Sequence, residues 1–286
     1  MTMNSDDCND THNVKHDNDN SNFIINKQIN YNRRHYHHIS IDEKIESIED
    51  LQFKNLRIIQ KKNSFKFGLD SVLLANFVKA DKNSSIVELC SGSGVISILL
   101  TGKTSAADIT GIEIQEWFVE MANRSVSLNS LSEKVRFLCA DLRTIPTFLK
   151  KGSAQTVVVN PPYIKHGGGI GNQNNEIKIA RHEVCCTLKD IVEAASYLLP
   201  SGGNLFMVHR PNRLVDVFCT MRDFHIEPKY VKTVYPSYGK RPILFLINGR
   251  KSANPDLKFL EPLYTYDLDG NYISQETLSQ LNTELR

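Results

Sequence analysis

Ile86-Val87-Glu88-Leu89-Cys90-Ser91-Gly92-Ser93-Gly94-Val95-Ile96-Ser97 is the stretch on which the fold turns. A short apolar, β-branched run meets two glycines one residue apart, and the apolar start of a helix follows at once. Strand, tight turn and helix in that order open a parallel βαβ unit, and glycines at the turn let the backbone pass close to a ligand. By itself the signal is weak. The same spacing makes an ordinary tight turn, and Gly92 to Ser97 also passes for a degenerate dinucleotide fingerprint.

On either side of this stretch, short apolar runs alternate with helical periodicity from Ser84 onward, which predicts strands near 86–89, 108–112, 135–139, 156–159, 204–208, 229–234 and 243–247. Helices fall between them near 95–100, 115–128, 188–199 and 214–222. The predicted fold is α/β, a doubly wound, mostly parallel seven-stranded sheet of Rossmann-like type. Residues 85–286 form the catalytic domain in this reading, and 46–84 form a helical and strand extension covering the cofactor side. Residues 1–45, rich in Asn, Asp, His and Ser, are expected to be a disordered tail, because too little apolar surface is present to offset ordering entropy. Within it, Arg33-Arg34-His35-Tyr36-His37-His38 reads first as solvated charge, with RNA contact or adventitious metal binding as the alternatives.

Acidic residues at successive strand ends sharpen the glycine turn. Glu113 closes the second strand, where a carboxylate can accept from both hydroxyls of a ribose, with Ile114 beside it. Asp141 follows the third strand, placed to accept from the amino group of the same nucleoside, with Leu142 next to it. Glu88, ahead of the glycines, would repel a pyrophosphate and suits a cationic amino-acid moiety. Together with Cys90, Gly92 and Gly94 these residues point to S-adenosylmethionine rather than a dinucleotide. Each acid taken singly is also an ordinary helix N-cap or surface charge.

The fourth strand, Thr156 to Val159, runs directly into Asn160-Pro161-Pro162-Tyr163. The proline pair forces extended backbone and removes two donors, so the turn is stiff. Adenine's exocyclic nitrogen is a poor nucleophile because its lone pair is delocalised into the ring. Two acceptors on its hydrogens, the Asn160 side-chain oxygen and the Pro161 carbonyl, favour the pyramidal reactive form, while Tyr163 stacks on the base. A rigid strand-terminating loop is the bland alternative. Asn160 belongs to both the cofactor and the catalytic sets.

Glu88 to Gly94, Glu113, Asp141 and Asn160 to Tyr163 together resemble the amino-methyltransferase set of class I methyltransferases, shared by N6-adenine and protein glutamine N5-methyltransferases. Lys66 to Leu74, Ala180-Arg181-His182-Glu183, Val208 to Leu214, Pro228-Lys229 and Val234-Tyr235-Pro236 narrow this. The chain, over roughly residues 50–275, is similar to the tRNA(Val) adenine-37 N6-methyltransferase family. The resemblance implies a class I methyltransferase fold and methylation of the adenosine 3′ of the anticodon in a valine tRNA. It also places the helix beginning at Ser71 beside the cofactor, although Asp70 reads equally as the plain cap of that helix. Cys90 stands where such loops carry glycine. A protein glutamine N5-methyltransferase acting on release factors is the rival reading, and a catalytically silent RNA-binding relative is the third.

The remaining features bear on the partner. Formal net charge is +2, but residues 1–50 hold ten acidic and five basic side chains, leaving 29 Lys and Arg against 22 Asp and Glu beyond them. A moderately basic body suits a polyanion without demanding one. Arg181, His182, Arg210, Lys240 and Arg241 are the candidate RNA contacts, with Tyr235 and Tyr238 available for stacking. The glycine-rich stretch between Ile164 and Ile179 reads as a lid over a flipped base or as a disordered insertion. Six cysteines show no CxxC pair and no disulfide framework, and no spaced ligand set calls for a metal. Neither a membrane-length apolar run nor a secretion signal is present, so a cytoplasmic protein, monomeric or weakly dimeric, is expected.

Overall fold

The computed structural model describes residues 40–62, 67–162, 186–281 and 283–285. Two antiparallel strands, β1 (Glu46–Asp50) and β2 (Arg57–Lys61), form a hairpin, and helix α1 (Leu69–Phe77) follows. Then come β3 (Ser85–Leu89), α2 (Val95–Lys103), β4 (Asp108–Glu113), α3 (Glu116–Leu128), β5 (Val135–Cys139), a 3-10 turn at Leu142–Thr147 and β6 (Thr156–Val159). After the undescribed segment lie α4 (Leu188–Leu198), β7 (Asn204–His209), α5 (Leu214–Asp223), β8 (Ile226–Tyr235), β9 (Leu244–Lys251), the two-residue strands β10 (Lys258–Phe259) and β11 (Leu263–Tyr264), and α6 (Gln275–Ser279).

All seven expected strands are present in one sheet, ordered β8-β9-β7-β6-β3-β4-β5. The sheet counts nine strands rather than seven, because β10 and β11 pair in succession with the outer edge of β8. They cover backbone groups that an unprotected edge would leave open to foreign strands. β3, β4, β5, β6 and β7 are parallel, whereas β9 runs antiparallel to both neighbours. The chain fills β3-β4-β5 on one side and then crosses back to start β6 on the other. The β3/β6 boundary is therefore the switch point, whose crevice at the carboxyl ends of the strands is the customary ligand site of such sheets.

Side chains alternate between two cores, as strand geometry requires. Ile86, Val158, Phe206 and Val208 face the layer made by α1, α2, α3 and α6, while Val87, Val157, Leu205 and Met207 face α4, α5 and the 3-10 turn. β6 is buried at all four positions, which explains its unbroken Thr-Val-Val-Val sequence. Helix α4 opens on a reciprocal cap in which Thr187 accepts from the Asp190 amide and Asp190 accepts from the Thr187 amide at 2.8 Å. No helix among the described residues is long and apolar enough to cross a membrane.

Residues 1–39 of the expected 1–45 tail lie outside the described residues, and its last residues, from 40 on, make contacts with the folded body. The Ser40 carbonyl already accepts from Arg124 at 2.7 Å, and Ile41 packs with Ile59 and Phe118. The hairpin is fastened to α3 by the Ile59 amide on Ser125 Oγ at 3.0 Å and the Arg57 amide on Asn129 at 2.8 Å. Its strongest tie is the Arg124 guanidinium, which bonds both oxygens of Glu46 with the two side chains 8% and 9% exposed. The same guanidinium holds Glu120. Arg124 keeps the Glu46 carboxyl below its ordinary range.

Removing one partner of a buried pair leaves the other charge unmatched, at a cost of about 3–5 kcal/mol. Arg124→Ala should lower the urea midpoint accordingly while leaving the denaturant slope unchanged. A midpoint equal to the wild type would show that the hairpin is not anchored through this residue.

Candidate functional site

Parallel register builds the site. Leu89 lies opposite Ile112 of β4 on one side and Val159 of β6 on the other, and Glu113 lies opposite Cys139 of β5. The four strands end level, so Cys90, Glu113 and Asn160 leave the sheet side by side, at neighbouring-strand spacings of about 4.8 Å.

The turn after β3 is a chain of left-handed residues: Cys90 at φ +56°, Gly92 at +52° and Gly94 at +82°. Cys90 holds this conformation with a Cβ, against a cost of roughly 1–2 kcal/mol, which is the physical reason glycine is usual there. Its Sγ lies 4.0 Å from that of Cys186, and the neighbouring thiol and burial push the Cys90 pKa upward. Gly94 and Gly111 are demanded by one ring. A Cβ on Gly94 would meet Phe137 at 2.4 Å, and one on Gly111 would meet the same ring at 2.2 Å. Gly92 differs, for its Cβ would meet nothing within 4 Å, leaving open space above the turn.

Glu113 locks that turn to β4. One carboxylate oxygen accepts from the Gly92 amide at 2.9 Å and the other from the Gln115 amide at 3.0 Å. Burial pushes its pKa up, and the backbone donors oppose the shift. Two amides use part of the four lone-pair sites of a carboxylate, so acceptor capacity is left for a diol. Ile114, next in sequence, is 39% exposed, an apolar surface beside that acid.

Glu88 is employed differently from the cationic partner the sequence suggested. Its side chain is 1% exposed and accepts from both the amide and the hydroxyl of Ser97 in α2, tying the first strand to the first crossover helix. Desolvation raises its pKa to about 8. Asp141 likewise has close partners: it caps the 3-10 turn through the Arg143 amide at 2.9 Å and pairs with the Arg143 guanidinium, which holds its pKa low. Arg143 is 52% exposed, and sequence reasoning missed it. Leu142 is buried under the turn.

Asn160 sits half-buried where β6 ends, with Pro161 buried and Pro162 partly covered after it. Its amide nitrogen donates to Ser71 Oγ of α1 at 3.0 Å. With the nitrogen directed at α1, the carboxamide oxygen is turned from that helix. Ser71 escaped the residue-by-residue reading because 89 positions separate it from Asn160 and no local signal marks it. The helix it belongs to begins at Leu69 with Gly68 as its cap, so the reading of Asp70 as the cap of a helix starting at Ser71 is corrected. Asp70 lies inside the first turn and accepts from the Ser71 amide at 2.9 Å.

The other candidates divide. Arg210 follows β7 and donates to the Ile243 carbonyl at 3.3 Å, which brings it to the same sheet edge as Asn160. Lys240 and Arg241 are exposed in the loop between β8 and β9. Tyr163, Arg181, His182 and the glycine-rich stretch read as a lid fall outside the described residues.

Comparison with known proteins accords with this edge. The family model described as methyltransferase small domain matches residues 50–230. A tRNA1(Val) (adenine(37)-N6)-methyltransferase of Flavobacterium psychrophilum is 26% identical over 216 residues, covering 73% of this chain and 90% of the relative. One of the same description from Tolumonas auensis is 25% identical over 225 residues, with 77% and 90% covered. Among solved structures, a predicted O-methyltransferase, protein Atu636 of Agrobacterium tumefaciens, aligns with TM-score 0.61 at 21% identity, covering 75% of this chain and 96% of that one. The tRNA m1G37 methyltransferase of M. jannaschii aligns with TM-score 0.52 at 16% identity, covering 73% and 55%. These two likenesses concern the fold alone.

The buried Glu88 carboxyl has a pH signature. Unfolded, it titrates near 4.5, and folded near 8. Between those values the folded state holds a proton that the unfolded state has released, so stability falls as pH rises through the window. Urea midpoints measured from pH 5 to 8 should decline less steeply in Glu88→Gln than in the wild type. Parallel profiles would mean that the carboxyl is already ionised in the folded protein.

Proposed function

The chain belongs to the methyltransferase small domain family, and we propose that it transfers a methyl group from S-adenosylmethionine to the N6 amine of an adenine in tRNA. The target in this reading is adenosine 37, immediately 3′ of the anticodon, in a valine tRNA. The observation that carries it is the level exit of Asn160-Pro161 from β6 beside the glycine turn of β3, with the Asn160 carboxamide oriented by Ser71. The two curated relatives named above support the choice of nucleotide.

The edge fits S-adenosylmethionine. Gly92 leaves room for a ligand over the turn, Glu113 is pre-positioned by two amides with acceptor capacity to spare for the ribose hydroxyls, and Ile114 offers an apolar face to the adenine ring. An acid at Glu113 also disfavours a 2′-phosphate. Accepting an adenine amine at Asp141 requires Arg143 to move aside. When bound, the cofactor supplies an electrophilic methyl group on a sulfonium.

The protein's own part is to place and polarise the amine. The Asn160 oxygen and the Pro161 carbonyl accept its two hydrogens, drawing the nitrogen out of conjugation with the ring and leaving its lone pair directed at the methyl group. Two prolines keep those acceptors in place, so no reorganisation is needed as charge develops. Tyr163 stacks on the flipped base. No strong base is required, because the proton is lost only after the nitrogen has acquired positive charge. The catalytic unit is residues 85–286, with 46–84 as its cofactor-side extension, acting on tRNA in the cytoplasm as a monomer or weak dimer.

Labelled S-adenosylmethionine with unmodified tRNA should yield N6-methyladenosine after nucleoside digestion; label found only in a release-factor protein would replace this reading by glutamine N5-methylation. Asn160→Ala should lower turnover by about two orders of magnitude with cofactor affinity retained, whereas Glu113→Ala should chiefly weaken cofactor binding. Ser71→Ala, losing one orienting hydrogen bond, should lower kcat by up to about tenfold without changing cofactor KM, and Ser71→Thr should restore it. Unchanged kcat in Asn160→Ala would remove the amide from the chemistry.

A further inference from the structure

A cluster of tyrosines stands on the same sheet edge as Asn160, three strands away. β9 is antiparallel to β7 and β8 is antiparallel to β9, so the carboxyl end of β8 returns to the edge where β6 and β7 end. Val159 at the end of β6 is level with Val231 of β8, so Tyr235 lies three strand spacings across and four residues further along, about 19 Å away in all. β11 lies alongside β8 with Tyr264 paired to Tyr235, and their rings are 5.6 Å apart at 31°. Tyr238, at the tip of the loop leaving β8, lies 6.3 Å from Tyr264 and is 76% exposed.

The cluster is built in place. The Thr265 and Tyr266 amides donate to the Tyr235 and Pro236 carbonyls at 2.9 Å each, and the Ile243 amide closes the loop on Val234 at 2.8 Å. Cations border it: Lys240 and Arg241 are exposed in the same loop, and Arg210 reaches that loop through the Ile243 carbonyl. Asp267, the nearest acid along the chain after Tyr264, is engaged by the amides of Asp269 and Asn271 within its own turn.

We propose that Tyr235, Tyr238 and Tyr264 form a stacking platform for unpaired bases of an RNA loop, flanked by Arg210, Lys240 and Arg241 as phosphate contacts, a few nucleotides from the base presented to Asn160. Exposed rings bordered by cations suit single-stranded nucleic acid, whose bases all offer a π-face and whose backbone is anionic. A duplex keeps its bases paired and stacked, out of reach of such rings. The platform rests on the reading of the reaction given above, since it gives that reaction its RNA-loop partner.

Each base–aromatic stack is worth roughly five- to 150-fold in affinity, so Tyr238→Leu/Tyr264→Leu should raise both the Kd for a labelled anticodon stem-loop and the tRNA KM about a hundredfold, with kcat changed by less than about twofold. Tyr238→Phe/Tyr264→Phe keeps the rings and should behave as the wild type. S-adenosylhomocysteine binding and thermal melting of the variants, measured alongside, should match the wild type, which separates loss of stacking from loss of fold. If the wild type methylates tRNA and the leucine pair does so with unchanged KM, the platform is overturned and the reaction stands. If the wild type methylates no RNA but the leucine pair still loses stem-loop affinity, the platform stands and the reaction is overturned. Unchanged RNA affinity with lost binding of a release-factor protein would assign the surface to a protein partner and overturn the RNA proposal.

Discussion

Everything at the functional edge depends on Leu89 lying opposite both Ile112 and Val159. Because a parallel ladder fixes neighbours residue by residue, one register places the glycine turn, the Glu113 carboxylate and the Asn160 carboxamide at one level of the sheet. A slip of a single residue would turn each strand's buried side chains to the opposite face and carry these groups out of line. The Phe137 ring enforces the arrangement from beneath, since it occupies the space where Gly94 and Gly111 would carry a Cβ. The glycines of this site thus serve two separate needs. Gly94 and Gly111 admit a ring from the core, and Gly92 keeps space clear above the turn.

Two buried acids sit close to each other yet differ in their partners. Glu88 gives its hydrogen-bonding to Ser97 and so spends its charge-bearing group on joining β3 to α2. Glu113 is held by backbone amides, a partnership that fixes its position while using part of its acceptor capacity. Both carboxyls titrate above their ordinary range, because desolvation outweighs the hydrogen bonds each receives. A buried acid that is rigidly placed and only partly satisfied is the kind of group a hydroxyl-bearing ligand completes.

The antiparallel strand β9 has a consequence beyond the sheet's topology. Reversing direction twice brings the end of β8 back to the edge used by the parallel strands, and with it an aromatic loop that a fully parallel sheet would have to supply from a helix connection. The C-terminal segment then reinforces this corner. β11 pairs with β8, and Lys232, almost wholly buried, holds the Glu261 carbonyl and the Glu284 carboxylate. The chain after β9 is therefore part of the architecture that carries the proposed substrate surface.

The seven long strands, the four crossover helices and the family were legible in the residues alone, because continuous apolar runs such as Thr156 to Val159 and the glycine turn are local patterns with local physical causes. It also singled out Asn160 and Glu113, whose residue types are legible wherever a strand ends. Which partners these groups have came from the folded chain. Ser71 on Asn160, Ser97 on Glu88 and Arg143 on Asp141 are contacts whose energy depends on distance in space, and nothing in the spacing of residues reveals it. The same holds for Ser40, assigned to the polar tail on composition, and for Glu46 just beyond it: the Arg124 guanidinium, carried by a distant helix, supplies the partner that holds both in place.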